Sequence, residues 1–86
     1  MKQFDYAIKD PLGIHARPAG LLATEAKAFA DTTVTITKNG TTIKASQLMS
    51  LMCLGVRHGD VVTIKAEGTN EDTAIIALSD FFNNNL

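Results

Sequence analysis

The sequence predicts an α+β fold: an open-faced two-layer sandwich in which three helices cover one face of a four-stranded antiparallel sheet. Two observations predict it. Four short runs are apolar on alternate residues, the period of a strand with one buried face. Two others are apolar at three- and four-residue spacing, the period of a helix with one buried stripe, and a short run between them is apolar almost all round. They follow one another as β-α-β-β-α-β-α, with no internal repeat, long linker or low-complexity tract. Strands apolar on one face need cover on that face only, and helices packed on one side supply it.

The first strand is expected over 2–9, with Phe4, Tyr6 and Ile8 on one face and Gln3, Asp5 and Lys9 on the other. Asp10-Pro11-Leu12-Gly13 then reads as a turn, punctuated by Pro11 and Gly13. From Pro18 the period changes. Ala19, Leu22, Ala26 and Phe29 recur at helical spacing, and the alanine content favours helix intrinsically, so a helix is expected over 16–29. Thr32 to Lys38 is rich in β-branched residues, with Val34 and Ile36 on one face. Asn39-Gly40 is the strongest short hairpin signal, because the favoured turn needs positive φ at both positions. It leads into a strand over 41–45 with Ile43 inward. A second helix is expected over 47–54, with Ser46 as N-cap and Gly55 as its stop. His58-Gly59-Asp60 turns the chain into a strand over 61–67, whose Val62, Ile64 and Ala66 share a face. Gly68-Thr69-Asn70 turns it again. Glu71 and Asp72 suit the first turn of a last helix, which buries Ala74, Ile75, Leu78, Phe81 and Phe82 and frays into Asn83-Asn84-Asn85-Leu86.

Length and composition narrow the function. Eighty-six residues make one small domain, 1–86, with a single core. Apolar residues are 45% and charged residues 20%, which suits a globular chain rather than a disordered one. A net charge of −1 argues against a general nucleic-acid binder. The lone Cys53 cannot form an internal disulfide, no apolar run reaches ~18 residues, and Met1-Lys2-Gln3-Phe4-Asp5 lacks the apolar core of a signal peptide. The expected location is cytoplasmic.

The chemistry concentrates in Gly13-Ile14-His15-Ala16-Arg17-Pro18-Ala19-Gly20, where an extended run gives way to a helix. A helix start leaves its first N–H groups without partners and adds partial positive charge. Pro18 fits the first turn, and its restriction on the preceding residue predicts that regular helix sets in around Pro18. His15 then stands at the boundary beside the free N–H groups of Ala16 and Arg17. An imidazole there stays neutral, because a second positive charge is unfavourable, and a neutral ring keeps the lone pair that a nucleophile needs. The Arg17 guanidinium suits phosphoryl oxygens. The set points to phosphoryl transfer through a phosphohistidine; a non-catalytic α+β module that binds a small anion at the same helix start is the alternative. His15, His58 and Cys53 have no zinc-ligand spacing, there is no Walker glycine loop, and His58-Gly59-Asp60 is most simply a turn. Leu48, Met49, Leu51, Met52, Cys53 and Leu54 surround the short second helix almost completely, and a helix of about two turns cannot bury every side. Leu48, Met49 and Met52 are expected to stay exposed as an adaptable protein-binding patch, while Cys53 is expected in or near the core.

Gly13-Ile14-His15-Ala16-Arg17-Pro18-Ala19 resembles the active-site signature of the HPr family, the histidine-containing phosphocarriers of the bacterial phosphoenolpyruvate-dependent sugar phosphotransferase system. The resemblance runs the length of the chain, through Asn39-Gly40, Leu54-Gly55 and Gly59-Asp60-Val61-Val62-Thr63-Ile64. It implies an open-faced sandwich and phosphorylation of His15 on Nδ1 by Enzyme I. Transfer then runs to IIA domains of sugar permeases, with Arg17 assisting and the N–H groups of Ala16 and Arg17 holding the phosphate. Such a chain is a cofactor-free, monomeric carrier rather than an independent turnover enzyme, and Gly20, Leu48, Met49 and Met52 are its expected partner-binding residues. A regulatory relative using the same histidine with other partners is the closer alternative. Many members also carry a regulatory serine, the target of an HPr kinase, directly before the apolar pair that opens the second helix. Eight residues before Gly55 that position holds Gln47; Ser46 matches the serine in number but not in context.

Overall fold

The computed structural model describes residues 1–29 and 31–86. The elements run β1 (Lys2–Ala7), α1 (Ala16–Lys27), β2 (Thr32–Lys38), β3 (Thr41–Lys44), α2 (Leu48–Cys53), β4 (Val61–Gly68) and α3 (Glu71–Asn85). The four strands form one antiparallel sheet in the order β1-β4-β2-β3. Its register aligns the predicted inward residues in rows. Phe4 pairs with Ile64, Ile64 with Ile36, and Ile36 with Ile43, so one apolar row crosses all four strands. Successive side chains of a strand face opposite ways, which is why the same register leaves Thr35, Thr63 and Lys65 on the uncovered face.

The helices lie on the apolar face. α3 packs on β1 and β4, α2 on β3, and α1 on both other helices. Leu22, Ile36, Leu51, Val62, Ile64, Leu78 and Phe82 are fully buried, each large side chain contributing about 1.5–3 kcal/mol by leaving water. Phe82 takes Phe4 and Tyr6 edge-on, with centroids 5.8 and 5.4 Å away, the favoured geometry for aromatic quadrupoles. Asn39 and Gly40 turn the hairpin with φ of 49° and 83°, as the dipeptide predicts.

Several ends differ from expectation, each for a local reason. β1 stops at Ala7 because the chain leaves the ladder: Ile8 donates to the Asp60 carbonyl, and Lys9 and Asp10 both donate to an oxygen of Leu86. α1 ends at Lys27, where the Ala28 N–H turns to the Glu25 carbonyl and tightens the last turn (3.1 Å). The last helix does not fray into its final residues. It continues to Asn85, the Asn83 and Asn85 amides donate to the Ser79 and Phe81 carbonyls (3.0 and 2.9 Å), and Leu86 is buried. Ser46 is not the N-cap of α2. The Gln47 N–H bonds the Lys44 carbonyl (3.2 Å), which leaves Ser46 in a turn and makes Gln47 the cap, without a side-chain capping bond. Cys53 is exposed rather than in the core, because α2 buries only its Leu51 face.

Candidate functional site

The loop before α1 is built residue by residue. Asp10 opens a tight turn: its carbonyl accepts the Gly13 N–H (3.0 Å) and its Oδ1 accepts the Leu12 N–H (2.8 Å). Pro11 presets the φ that such a turn needs at its second position. Gly13 lies at φ +68°, and a Cβ there would run into the Val56 carbonyl oxygen and the Arg57 Cα. Only glycine lets the loop lie against 56–57 in this way. Ile14 then donates to the Val56 carbonyl (3.1 Å) and is buried. His15 is thus delivered to the helix start by an anchored segment.

His15 is the N-cap of α1, with φ −104° and ψ −176°, and its side chain makes no capping bond. The first helical hydrogen bond runs from the Ala19 N–H to the His15 carbonyl (2.9 Å). The N–H groups of Ala16 and Arg17 lie in the first turn, ahead of any intrahelical acceptor. Regular helix therefore sets in at Ala16, before Pro18, which is its third residue. The bias on the residue before proline is overcome here because the Ala19–His15 bond closes the turn around Arg17. The imidazole is 38% exposed, and its Nε2 lies 3.8 Å from Asp10 Oδ2, close enough to feel the charge but too long for a hydrogen bond. Arg17 is exposed, and no carboxylate among the described residues pairs with it.

The wall behind this loop has its own clasp. Lys38 reaches from the end of β2 to the Gly55 carbonyl (2.7 Å) and to Asp60 Oδ2 (3.0 Å). The Arg57 N–H also donates to that carboxylate oxygen (2.8 Å). The Arg57 N–H, and after it Lys38, hold the Asp60 carboxyl below its ordinary value. The sequence pattern marks His58-Gly59-Asp60 only as a turn. Nothing in the local pattern announces that a lysine far along the chain closes on it. His58 is exposed, with Nδ1 3.2 Å from the Lys9 carbonyl.

On α2, Leu48, Met49 and Met52 are 41%, 73% and 45% exposed, while Leu51 is fully buried. The expected surface patch therefore exists as exposed apolar area on a helix that packs beside α1. Gly20, in α1, has its carbonyl bonded by the Thr24 hydroxyl (3.0 Å), and a Cβ there would meet nothing within 4 Å. Packing does not require a glycine at that position. Among the described residues, no helix is long and apolar enough to cross a membrane.

A family model for the PTS HPr component phosphorylation site matches residues 2–84. The chain belongs to the HPr family. It is 45% identical to the phosphocarrier protein HPr of Mycoplasma genitalium over 78 residues, 91% of this chain and 89% of that protein. Its fold matches that of HPr-C-His from Thermoanaerobacter tengcongensis with a TM-score of 0.92 at 38% identity, covering 98% of this chain and 93% of that one. The histidine-containing phosphocarrier protein of a Mycoplasma matches with the same TM-score at 34% identity, over 96% and 93% of the two chains. HPr-type phosphocarriers serve the phosphotransferase system, and this chain is one of them. Its sheet, helices and element order are those of the HPr fold.

Proposed function

We propose that His15 accepts a phosphoryl group on Nδ1 from phospho-Enzyme I and passes it to IIA domains of sugar permeases in the cytoplasm. The observation that carries this reading is an N-cap histidine whose ring is not spent on capping, beside the first-turn N–H groups of Ala16 and Arg17. A helix start of this kind favours a phosphoryl dianion. The exposed Arg17 guanidinium adds charge-assisted contacts to phosphoryl oxygens. Phosphoryl transfer needs mainly positioning and charge stabilisation, and both are supplied here by the backbone of the helix start and one exposed cation. Gly20 and the exposed Leu48, Met49 and Met52 serve as the docking surface for these partners.

Incubation with phosphoenolpyruvate and Enzyme I, followed by peptide mass spectrometry, tests the reading. One acid-labile phosphoryl group on His15 is expected. Label on His58 or on a hydroxyl would move the site, and no label at all would favour an anion-binding module. In the same reading Ser46 is a poor substrate for an HPr kinase, because Gln47 holds the position that opens α2. Stoichiometric phosphorylation of Ser46 by such a kinase would overturn that part.

A further inference from the structure

We infer that Asp10 is a positioning residue for His15: it orients the imidazole and decides which ring nitrogen carries the proton. The inference rests on the reading of His15 as phosphoryl acceptor. Asp10 is held at three points. Its N–H donates to an oxygen of Leu86 (2.8 Å), its carbonyl accepts the Gly13 N–H (3.0 Å), and its Oδ1 accepts the Leu12 N–H (2.8 Å). The last contact is an Asx turn, in which a carboxyl oxygen takes the place of a backbone acceptor. With Oδ1 committed, Oδ2 is the oxygen left to act, and it faces the ring edge 3.8 Å from His15 Nε2. The Asp10 side chain is 24% exposed. Closing by about 1 Å would make a hydrogen bond, a tightening common between a resting site and its reacting complex. Nδ1 has no partner among the described residues.

A neutral imidazole carries one N–H and one lone pair, and a carboxylate beside one nitrogen draws the proton to it. Asp10 thereby leaves the lone pair on Nδ1. In the transfer, that lone pair forms the bond to phosphorus. The bond between phosphorus and the donor breaks, and its electron pair stays with the donor. Nε2 keeps its proton, so the phosphorylated ring becomes a cation. Its positive edge then faces the Asp10 carboxylate, while the phosphoryl group is on the other nitrogen. The same residue supports the return step, in which a nucleophile of the acceptor forms the new bond to phosphorus, the Nδ1–P bond breaks, and its electron pair goes back to Nδ1. A buried aspartate does this for the histidine of a catalytic triad; Asp10 is partly solvated, so its effect is smaller.

The test reads the ring directly. His15 15N chemical shifts are recorded on the unphosphorylated protein, at a pH where the imidazole is neutral. Wild type is expected to be mainly the Nε2–H tautomer. Asp10→Asn keeps an oxygen for the Leu12 N–H but removes the charge. It should lower the ratio of Nε2–H to Nδ1–H forms roughly two- to fivefold and slow phosphoryl acceptance by a similar factor. Asp10→Ser, which is also uncharged and also able to hold the turn, gives the same reading should asparagine disturb it. Asp10→Glu restores a carboxylate and should recover part of the tautomer preference, which a purely structural role for Asp10 would not explain. Wild-type ring shifts in Asp10→Asn or Asp10→Ser would overturn the inference. Because the shifts are read without phosphorylation, failure of wild-type His15 to accept a phosphoryl group would count against the proposed function and not against Asp10.

Discussion

His15 sits where an extended segment becomes a helix, and its neighbours divide into those that act and those that hold. His15→Ala should abolish phosphoryl acceptance while changing stability by no more than about 0.5 kcal/mol, as is usual for a partly exposed side chain whose one charged neighbour lies beyond hydrogen-bond distance. Labelling and thermal melting check both halves. Arg17→Ala should slow acceptance by about 10²–10³-fold without preventing it, the scale of losing one electrostatic contact in a transition state. Arg17→Lys should recover only part, since a point charge lacks the planar fork; stopped-flow transfer from phospho-Enzyme I would register either outcome. Gly13→Ala belongs with the holding residues. Positive φ and the blocked Cβ position should cost about 1–3 kcal/mol in urea unfolding and shift the loop that delivers His15. His15 and Arg17 could be picked out in the sequence because their meaning lies in local spacing at a helix start. The approach of Asp10 to Nε2 could not, because it depends on how the turn at Pro11 folds back.

At the level of elements, α2 shows where periodicity reaches its limit. Its apolar residues run almost all the way round, so the pattern states that part must be exposed without stating which part. Packing on β3 and α1 settles it by burying Leu51 and leaving Leu48, Met49, Met52 and Cys53 outside. Met49→Glu should accordingly change stability by no more than about 0.5 kcal/mol while weakening partner binding, measured by titration calorimetry against Enzyme I. Leu51→Ala should destabilise by about 2–5 kcal/mol, visible in the same urea unfolding series. A large stability loss in Met49→Glu would mean that the patch is core. The strands and the hairpin were readable because strand period and turn chemistry are local. The cap of α2 was not, because the Gln47–Lys44 bond that displaces Ser46 belongs to the connection out of the hairpin rather than to the helix.

Over the whole molecule, the Lys38–Asp60 clasp ties β2, the end of α2 and the turn before β4 together. The Asp60 carboxyl is depressed in the folded protein, chiefly by the Arg57 N–H and then by Lys38. A depressed carboxyl contributes stability above its ordinary value of 3.8, and that contribution is lost as pH falls through the lower folded value. Asp60→Asn should therefore melt below wild type at neutral pH, with the gap in Tm narrowing on acidification. A gap that stays constant would show that ionisation of Asp60 plays no part. The sequence by itself determined the element order, the buried face of each strand, the hairpin at Asn39-Gly40, and the histidine and arginine at the start of α1. All of these follow from contacts within a few residues, where period, turn propensity and helix-end chemistry act. Only the tertiary structure decided the strand order β1-β4-β2-β3, the exposed side of α2, the pairing of Lys38 with Asp60, and the carboxylate facing His15. Those depend on which distant segments meet, and that is set by packing a shared core rather than by any local pattern.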